Sequence, residues 1–330
     1  MKKVAINGLG RIGRATLKIV MERSDMELVA VNDIVSVANI VYLLKYDTVY
    51  GRYEKEVCRS KDGKSIAIED HGIYYYSEKD PSQLPWKQHE IDVVFECTGL
   101  FTKTEELQKH LDAGAKQVVL SAPAKSEEML TVVHGVNKNE DNRQIISCAS
   151  CTTNCITPVV EVMRRHVGIE KATMTTVHAY TSNQGLVDSP AKRFRRGRAA
   201  AANMVPTTTG AATASAKAIP EIKGKFDGVA IRVPIPAGSL ADIVFVTSKP
   251  TTREELNEIF REEARSDRYK NILGVTEDGI VSADIVKDPR ASIVDLTMTQ
   301  VVDGDLVKIM SWYDNEWGYA SQMVKEAAQE

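Results

Sequence analysis

Apolar runs of strand length alternate with helix-like stretches through the first half of the chain. The runs cover residues 4–7, 28–32, 92–97, 117–120 and 144–147, and apolar residues at helical spacing follow four of them. Strands that alternate with helices in this way predict a parallel sheet covered by helices. We therefore expect residues 1–150 to form an α/β domain.

The pattern changes after residue 167, where longer β-rich segments replace this alternation. They cover residues 229–233, 241–246, 292–296 and 306–309, and helical patterns pass through Leu256 and Phe260 and through residues 212–218. This order predicts a second, α+β catalytic domain, residues 151–312, on a mostly antiparallel sheet with helices on one face. An aromatic-rich turn at residues 312–319 suggests that the chain then returns, so we assign residues 313–330 to the first domain. A chain of 330 residues is long enough for two domains.

A glycine-rich turn joins the first strand to the first helix. Gly8, Gly10 and Gly13 have the G-x-G-x-x-G spacing, which serves a tight turn, close approach of the backbone to a pyrophosphate, and packing of helix on strand. The second strand ends in Asp33, at the spacing of the carboxylate that binds the adenosine ribose. Together these features predict a Rossmann-type dinucleotide-binding domain. Because Asp33 repels a 2'-phosphate, NAD is favoured over NADP.

Two further strands end beside hydroxyl side chains, Thr98 and Ser121. Ligands of an open parallel sheet bind across the carboxyl ends of its strands, so both residues are candidate cofactor neighbours. Turn chemistry explains a threonine and a serine at these places about equally well.

Cys151 follows the strand at residues 144–147 and precedes a helix, which makes it the first candidate for catalysis. Backbone N–H groups and the dipole at a helix N-terminus lower the pKa of a thiol, and the thiolate is the nucleophile. Pro158 indicates that this helix starts late or is kinked. The competing interpretation is a small buried apolar residue, the common fate of a free cysteine. A second strand ends at His178, and a cysteine with a distant histidine is the usual composition of an activated thiol site.

Composition excludes several classes of function. Charged residues make up 26% of the chain and the formal net charge is -3, so no overall positive field attracts nucleic acid or an anionic membrane. The five cysteines form no zinc-like CxxC pair, and no metal is predicted. No apolar window approaches the length of a membrane span and no secretory signal is recognisable, so we expect a cytoplasmic protein.

Residues 183–203 form a long segment that is rich in arginine and poor in apolar periodicity. A compact domain tolerates such a segment mainly when it is functional or covered by a partner, so we interpret it as a site and interface loop. A run of charges is more often a solvated face, and this remains the alternative for the arginines at 193–198.

Four motifs occur in order: residues 7–14, the segment Cys151-Thr152-Thr153-Asn154-Cys155, residues 178–181 and residues 312–318. With them the chain resembles the phosphorylating glyceraldehyde-3-phosphate dehydrogenases over nearly its whole length. The resemblance implies oxidation and phosphorylation of glyceraldehyde 3-phosphate by NAD and inorganic phosphate, giving 1,3-bisphosphoglycerate. Cys151 then forms a thiohemiacetal and a thioester, while His178 lowers the pKa of the thiol and takes the hemiacetal proton.

The resemblance also implies two anion sites. Thr181 and Arg232 correspond to the site for the substrate phosphate. The site for the attacking phosphate corresponds to residues whose hydroxyl, N–H and guanidinium groups suit phosphate oxygens, namely Ser150, Thr152, Arg196, Thr209 and Gly210. A structural ion pair is the alternative role for Arg232, whereas for Arg193 and Arg198 we favour a structural role.

The family's cofactor contacts correspond to Arg11, Ile12, Asp33, Lys79, Ser121 and Asn315. Two positions depart from the family pattern: Lys79 stands where relatives often carry arginine, and Ser189 where NAD-specific relatives usually carry leucine. The smaller serine weakens a steric block to a 2'-phosphate. We therefore expect NAD to be preferred, with NADP as a second cofactor that the sequence leaves open.

Two other functions stay open. Erythrose-4-phosphate dehydrogenases resemble this family throughout, and the intact segment at residues 207–210, together with Tyr180 and Thr181, favours the glyceraldehyde enzyme over them. A non-enzymatic thiol redox sensor or scaffold could use Cys151 and Cys155, because a reactive thiol oxidises readily. The resemblance further implies a homotetramer, with the loop at residues 183–203 at a subunit interface.

Overall fold

The computed structural model describes residues 1–328 and divides the chain into two compact units. The first unit contains Met1–Val132, Asn139–Ala149 and the C-terminal segment from Met323 onward, and the second contains Val133–Lys138 and Ser150–Gln322. Ser150 and residues 133–138 and 313–322 therefore fall in the second unit, unlike in our predicted division. Tyr313 pairs with Ser239 in a sheet of the second unit, which explains why the residues around it stay there.

The described part of the chain forms seven α-helices, four short 3-10 turns and nineteen strands. The helices are α1 (Arg11–Val20), α2 (Val37–Lys45), α3 (Thr104–Asp112), α4 (Cys151–His166), α5 (Ala211–Ala218), α6 (Arg253–Arg265) and α7 (Trp317–Ala328). The first eleven strands are β1 (Lys2–Asn7), β2 (Met26–Asn32), β3 (Tyr46–Asp47), β4 (Gly51–Arg52), β5 (Val57–Arg59), β6 (Ser65–Ile68), β7 (His71–Tyr76), β8 (Val93–Glu96), β9 (Gln117–Leu120), β10 (Leu130–Thr131) and β11 (Ile145–Ser147). The others are β12 (Lys171–Ala179), β13 (Val205–Thr208), β14 (Phe226–Val233), β15 (Ser239–Val246), β16 (Leu273–Thr276), β17 (Ser292–Asp295), β18 (Gln300–Val302) and β19 (Leu306–Tyr313).

The first unit is built on a sheet with the strand order β10-β11-β9-β8-β1-β2-β7-β6-β5. Neighbours from β10 to β7 are parallel, and the last two pairs are antiparallel. In the central strands β1 and β8, Asn7 pairs with Glu96, and Asn7 also pairs with Asn32 of β2. Three polar residues therefore lie side by side at the carboxyl ends of parallel strands, where open α/β sheets bind ligands.

The second unit is built on a sheet with the order β13-β14-β12-β15-β19-β17-β16, and β18 is added beside β19. Five of its seven strand pairs are antiparallel, which confirms the predicted mostly antiparallel sheet. Along β15 and β19 buried residues alternate with partly exposed ones, so Tyr313 lies on an inward face. His178 of β12 is in register with Arg232 of β14.

Helix α4 packs on strands of the second sheet and forms its core with them. The helix begins at Cys151 and continues through Pro158 to His166, so the late start expected from the proline does not occur. The α/β organisation of the first unit and the α+β organisation of the second agree with the sequence-based prediction. None of the helices within residues 1–328 combines the length and the apolar character that crossing a membrane requires.

Candidate active site

Cys151 is the first residue of α4 and lies just after the turn that follows β11. This turn passes through Ala149, whose φ of 55° is in the left-handed region that residues with a side chain rarely adopt. Ser150 caps the helix, because its Oγ accepts a hydrogen bond from the Thr153 N–H at 3.3 Å. The turn thus holds the thiol at a helix N-terminus, beside N–H groups without intrahelical acceptors.

His178 lies directly beside this thiol, with its Nε2 3.4 Å from Cys151 Sγ. Its other ring nitrogen, Nδ1, is 2.7 Å from the carbonyl oxygen of Ala179. A carbonyl oxygen can only accept, so Nδ1 carries the hydrogen and Nε2 of the neutral ring presents a lone pair to the sulfur. The imidazole is therefore oriented as a base toward the thiol.

Burial dominates the electrostatics of the pair. It raises the pKa of the Cys151 thiol, against the opposing effects of the Arg232 charge and of hydrogen bonds from the Thr152 hydroxyl and backbone. Burial also lowers the pKa of His178 to about 3, and the charge of Arg232 adds to this effect. Each group alone is therefore neutral at pH 7, so the thiol pKa is not lowered as the sequence led us to expect. The helix terminus does favour the thiolate, but desolvation of the charged sulfur is the larger effect.

Tyr313 connects two strands and the helix behind the catalytic pair. Its hydroxyl forms hydrogen bonds of 2.9 Å with Thr152 Oγ1 and 2.8 Å with Thr176 Oγ1. Its ring packs edge-on against the His178 ring, with centroids 5.9 Å apart and an interplanar angle of 75°. Burial raises the pKa of Tyr313 well above its ordinary value, so its hydroxyl stays protonated. The Thr152 hydroxyl, predicted to bind phosphate, is thus engaged with Tyr313 in the interior.

Arg232 brings a partly buried positive charge to the same strand ends. Its Nη1 donates to the Ala179 carbonyl and to Thr181 Oγ1, each at 3.1 Å. Its Nε is buried and has no hydrogen-bond partner among residues 1–328, and neither has Nε2 of Gln184, whose Oε1 accepts from the Thr181 N–H at 3.2 Å. Unsatisfied buried donors are costly. The predicted pair Thr181 and Arg232 is therefore brought together.

Arg196 lies close to the other predicted phosphate residues. Its Nε donates to Thr207 Oγ1 at 3.0 Å and its Nη2 to the Thr208 carbonyl at 3.3 Å. The next two residues are Thr209 and Gly210, where α5 begins, and Thr209 Oγ1 accepts a hydrogen bond from the Ala211 N–H, the first of the helix, at 3.2 Å. Burial lowers the pKa of Arg196, and the charge of Arg232 contributes, so the two guanidinium groups lie within electrostatic range. Two such groups in one region favour anions.

The first unit contains a cavity of about 470 Å³ at the carboxyl ends of β1, β2 and β8. It is lined by Asn7, Gly8, Gly10, Asn32, Asp33, Ile34, Glu78, Lys79, Cys97, Thr98, Leu100 and Phe101. Asp33 accepts hydrogen bonds from the Leu9 N–H at 2.6 Å and from the Val35 N–H at 2.9 Å, which joins the end of β2 to the glycine turn. The volume lies in the range typical of small-molecule sites.

The three glycines of the turn have three different environments. Gly8 has a φ of 91°, and a Cβ there would lie 2.7 Å from the Thr98 backbone nitrogen. A Cβ on Gly13 would lie 1.9 Å from the Gly8 carbonyl oxygen, so this glycine allows α1 to approach β1. Gly10 faces open space and precedes α1, whose N-cap has no side-chain hydrogen bond. The chain therefore has an open backbone cradle at a helix N-terminus, which fits a dinucleotide pyrophosphate.

Several predicted cofactor residues lie outside this cavity lining. Arg11 and Ile12 are in the first turn of α1, and the Arg11 guanidinium pairs with Asp47 at 2.5 Å. Ser121 follows β9 and lies close to the thiol of Cys97. Asn315 belongs to the second unit, where its Oδ1 accepts from Ser239 Oγ at 3.0 Å. Lys79 lines the cavity and is exposed.

Sequence reasoning missed Tyr313, Thr176, Ser239 and Gln184. Ser239 Oγ accepts from the Ala179 N–H at 3.2 Å and donates to Asn315, so it links the His178 strand to a predicted cofactor residue. The alternation of apolar and polar residues in β12 and β19 is the one signal that could have indicated inward hydroxyl groups.

No group of three or more metal-ligating side chains within residues 1–328 is arranged to hold a metal ion.

Comparison with known proteins agrees with this geometry. A model of the glyceraldehyde 3-phosphate dehydrogenase NAD-binding domain matches residues 2–104, and a model of the C-terminal domain of the same family matches residues 150–315. The unit that contains the cradle and cavity is thus an NAD-binding unit.

Individual relatives match over nearly the whole chain. A protein named glyceraldehyde-3-phosphate dehydrogenase from Streptomyces coelicolor is 47% identical over 326 residues, which are 98% of this chain and 96% of the relative. Proteins of the same name from Zymomonas mobilis and Geobacillus stearothermophilus are each 45% identical; the alignments cover 99% of this chain and 98% and 97% of the respective relatives.

Proposed function

The chain belongs to the glyceraldehyde-3-phosphate dehydrogenase family, and from this premise we propose that it converts D-glyceraldehyde 3-phosphate, NAD and inorganic phosphate to 1,3-bisphosphoglycerate and NADH. The observation that carries the proposal is the Cys151 thiol, 3.4 Å from a histidine nitrogen with a free lone pair, on a strand that is in register with the partly buried Arg232 of the next strand. A nucleophile, a base and a cation for the substrate phosphate are the groups that this reaction needs.

In the first step Cys151 Sγ attacks the aldehyde carbon. The S–C bond forms, the carbonyl π-bond becomes an oxyanion, and the thiol proton moves to Nε2 of His178. The resulting imidazolium then donates to the oxyanion, giving a thiohemiacetal. The Nδ1 hydrogen bond to the Ala179 carbonyl holds the ring in the same orientation throughout.

In the second step the thiohemiacetal carbon is oxidised to a thioester. NAD, when bound, supplies a two-electron acceptor for the hydride of that carbon. His178 Nε2 takes the hydroxyl proton as the carbonyl re-forms, which makes it the general base of the oxidation as well.

In the third step a phosphate oxygen attacks the thioester carbon. The C–S bond breaks, the sulfur leaves as a thiolate and takes up the proton that His178 Nε2 gained in the second step, and the acyl phosphate is released while the proton of the attacking hydrogen phosphate passes to solvent. Arg232 and Thr181 are proposed to hold the phosphate of the substrate, and Arg196 with Ser150, Thr209 and Gly210 to hold the attacking phosphate. We include the backbone N–H of Thr152 in the second site, since its hydroxyl is occupied by Tyr313.

The experiment is an absorbance assay of NADH formation with the aldehyde and phosphate. Cys151→Ser should abolish turnover, because a serine hydroxyl is far less acidic than a thiol. Cys155→Ser is the matched control: this residue lies one helical turn further on, is fully buried, and has Sγ 3.8 Å from Ser292 Oγ. Turnover by the Cys151 variant at the parental rate would refute the proposal.

The same assay tests cofactor choice and the alternative functions. We propose that kcat/KM is higher for NAD than for NADP, on the basis of Asp33, and that Ser189 allows some use of NADP. Glyceraldehyde 3-phosphate should be a better substrate than erythrose 4-phosphate. A chain that turns over neither aldehyde while Cys151 still reacts with peroxide would instead support a redox sensor.

We further propose a homotetramer in the cytoplasm, with residues 183–203 at a subunit interface. The loop exposes apolar side chains that a neighbouring copy could cover, including Leu186, Val187 and Phe194, which is 88% exposed. Light scattering on the purified protein gives the molar mass, and a monomer would refute this part of the proposal.

A further inference from the structure

Glu96 is a fully buried carboxylate at the end of β8 in the NAD-binding unit. Its Oε2 is 2.6 Å from Asn7 Nδ2 and 3.1 Å from His110 Nε2. Its Oε1 accepts from the Thr98 N–H at 2.8 Å and from the Thr98 hydroxyl. The proposed chemistry of Cys151 uses none of these groups. A buried carboxylate is costly unless its oxygens are fully hydrogen-bonded, so the arrangement calls for a reason.

Trp86 determines the hydrogen positions on one side of Glu96. Its indole Nε1, which can only donate, is 3.0 Å from Nδ1 of His110. Nδ1 is therefore the acceptor, and the hydrogen of the neutral ring is on Nε2, where it points to Glu96. His110 and Trp86 are both fully buried, so this orientation has no competition from solvent. The 3.5 Å separation of Asn7 Nδ2 from His110 Nε2 is the spacing of two donors that share one oxygen.

A backbone N–H determines the hydrogen positions on the other side. Asn32 Oδ1 accepts from the Glu78 N–H at 2.8 Å, which orients the Asn32 amide. Asn32 Nδ2 then donates to Asn7 Oδ1 at 2.7 Å, and this leaves Asn7 Nδ2 to donate to Glu96. All four hydrogen bonds found for the Glu96 carboxylate within residues 1–328 thus point toward it, and it is the anionic acceptor on which they converge.

The network also forms part of the cofactor cavity, which is lined by Asn7, Asn32, Glu78 and Thr98. We propose that Glu96 is a positioning residue for NAD: by accepting from Asn7 and Thr98 it fixes the ends of β1, β2 and β8 in the shape that the dinucleotide needs. The proposal rests on the assignment of this unit as NAD-binding. Glu96 itself does not line the cavity, so it acts through these neighbours.

Glu96→Gln tests the proposal, because the amide keeps the shape but has one acceptor oxygen instead of two, so its NH2 group must face either the Asn7 and His110 donors or the Thr98 N–H. Calorimetric titration of the full chain with NAD should show a Kd raised about tenfold, as expected for one buried polar mismatch. The KM for NAD should rise similarly, while kcat at saturating NAD and the alkylation rate of Cys151 stay unchanged. Adding Asn7→Asp to this variant restores an acceptor for the introduced amide and should recover the Kd to within about threefold of wild type.

Glu90→Gln is the matched control, since this carboxylate is 74% exposed and pairs with Lys3 at the surface. The proposal is overturned if the Glu96→Gln variant folds and binds NAD with the wild-type Kd. It is also overturned if the double variant does not recover the Kd for NAD. If the variant does not fold, nitrogen NMR of wild-type His110 decides: a hydrogen on Nδ1 at neutral pH overturns the network. A wild-type chain that does not bind NAD would refute the cofactor assignment, which is measured first.

Discussion

Tyr313→Phe separates the two contributions of Tyr313 to the catalytic unit. The substitution removes the hydroxyl that bridges Thr152 and Thr176 and keeps the ring that packs on His178. Both threonines are buried, and within residues 1–328 the next partner of the Thr176 hydroxyl is the Leu240 carbonyl at 3.4 Å. We therefore expect a loss of stability with little loss of catalysis.

The magnitude follows from two lost hydrogen bonds of ordinary length. Each contributes about 1 kcal/mol net, so the free energy of unfolding should fall by about 2 kcal/mol. For a unit of this size such a change corresponds to a decrease in Tm of about 4–8 °C. Because the ring contact remains, kcat should change by less than about threefold. Tyr313→Ala removes the ring as well and should lower kcat further.

The assay is calorimetric unfolding of the full chain together with steady-state turnover. Tyr53→Phe provides the control of opposite sign, because the Tyr53 hydroxyl is buried and has no hydrogen-bond partner within residues 1–328. Removing that hydroxyl should leave the Tm unchanged or raise it. An unchanged Tm in Tyr313→Phe, or an equal decrease in Tm in Tyr313→Phe and Tyr53→Phe, would show that the bridging hydroxyl does not stabilise the unit.

Three further results are expected. Arg232→Gln removes a positive charge that favours the thiolate, so the alkaline pH midpoint of Cys151 alkylation by iodoacetamide, at which the thiol loses its proton to solvent, should move upward; an unchanged alkaline midpoint contradicts this. Gly13→Ala places a Cβ 1.9 Å from a carbonyl oxygen and should destabilise the NAD-binding unit by about 1–3 kcal/mol. Gly10→Ala, at a position that faces open space, should keep the Tm and weaken NAD binding. Equal Tm values for the two variants would refute these different roles of the two glycines. Burial lowers the pKa of His178 to about 3 in the folded state, whereas an unfolded chain has the ordinary value of about 6.5. As the pH falls below about 6.5, only the unfolded state therefore binds a proton at this imidazole, and the free energy of unfolding falls by up to about 1.4 kcal/mol per pH unit. Urea unfolding at several pH values between 5 and 6.5 measures how the free energy of unfolding depends on pH. This dependence should be weaker in His178→Asn than in the wild type, and an identical dependence would count against the buried neutral imidazole.

The strands and helices that carry the site were predictable because their signals are local. Buried parallel strands such as β1 and β8 are continuous apolar runs, and the glycine spacing after β1 identifies the cradle. The change from strand to helical spacing places Cys151 at the start of α4, although Pro158 suggested that this helix starts later or is kinked. In each case neighbouring residues contain the whole pattern.

The polar networks were not predictable in the same way, because they depend on register between distant strands. Tyr313 meets Thr176 across 137 positions and Thr152 across 161. The sequence placed Tyr313 in an aromatic turn, whereas β19 extends through it and pairs it with Ser239. The partial burial of Cys151 is also a property of the packed unit, and the desolvation that it brings raises the pKa of the thiol, opposite to the direction that the local argument from the helix terminus indicated.

The electrostatics of the pair indicate which route leads to the reactive thiolate. If the Cys151 proton goes to solvent, one uncompensated charge remains in a buried site, and desolvation opposes this strongly. If it moves to His178 Nε2, at 3.4 Å from the sulfur, the two new charges lie side by side and the pair remains neutral overall. Arg232 raises the cost of a charged imidazole while it stabilises the sulfur anion, so its effects on this internal transfer largely cancel. Loss of His178 should therefore reduce alkylation at neutral pH more than loss of Arg232 does, and the reverse order would mean that the thiolate forms without the histidine.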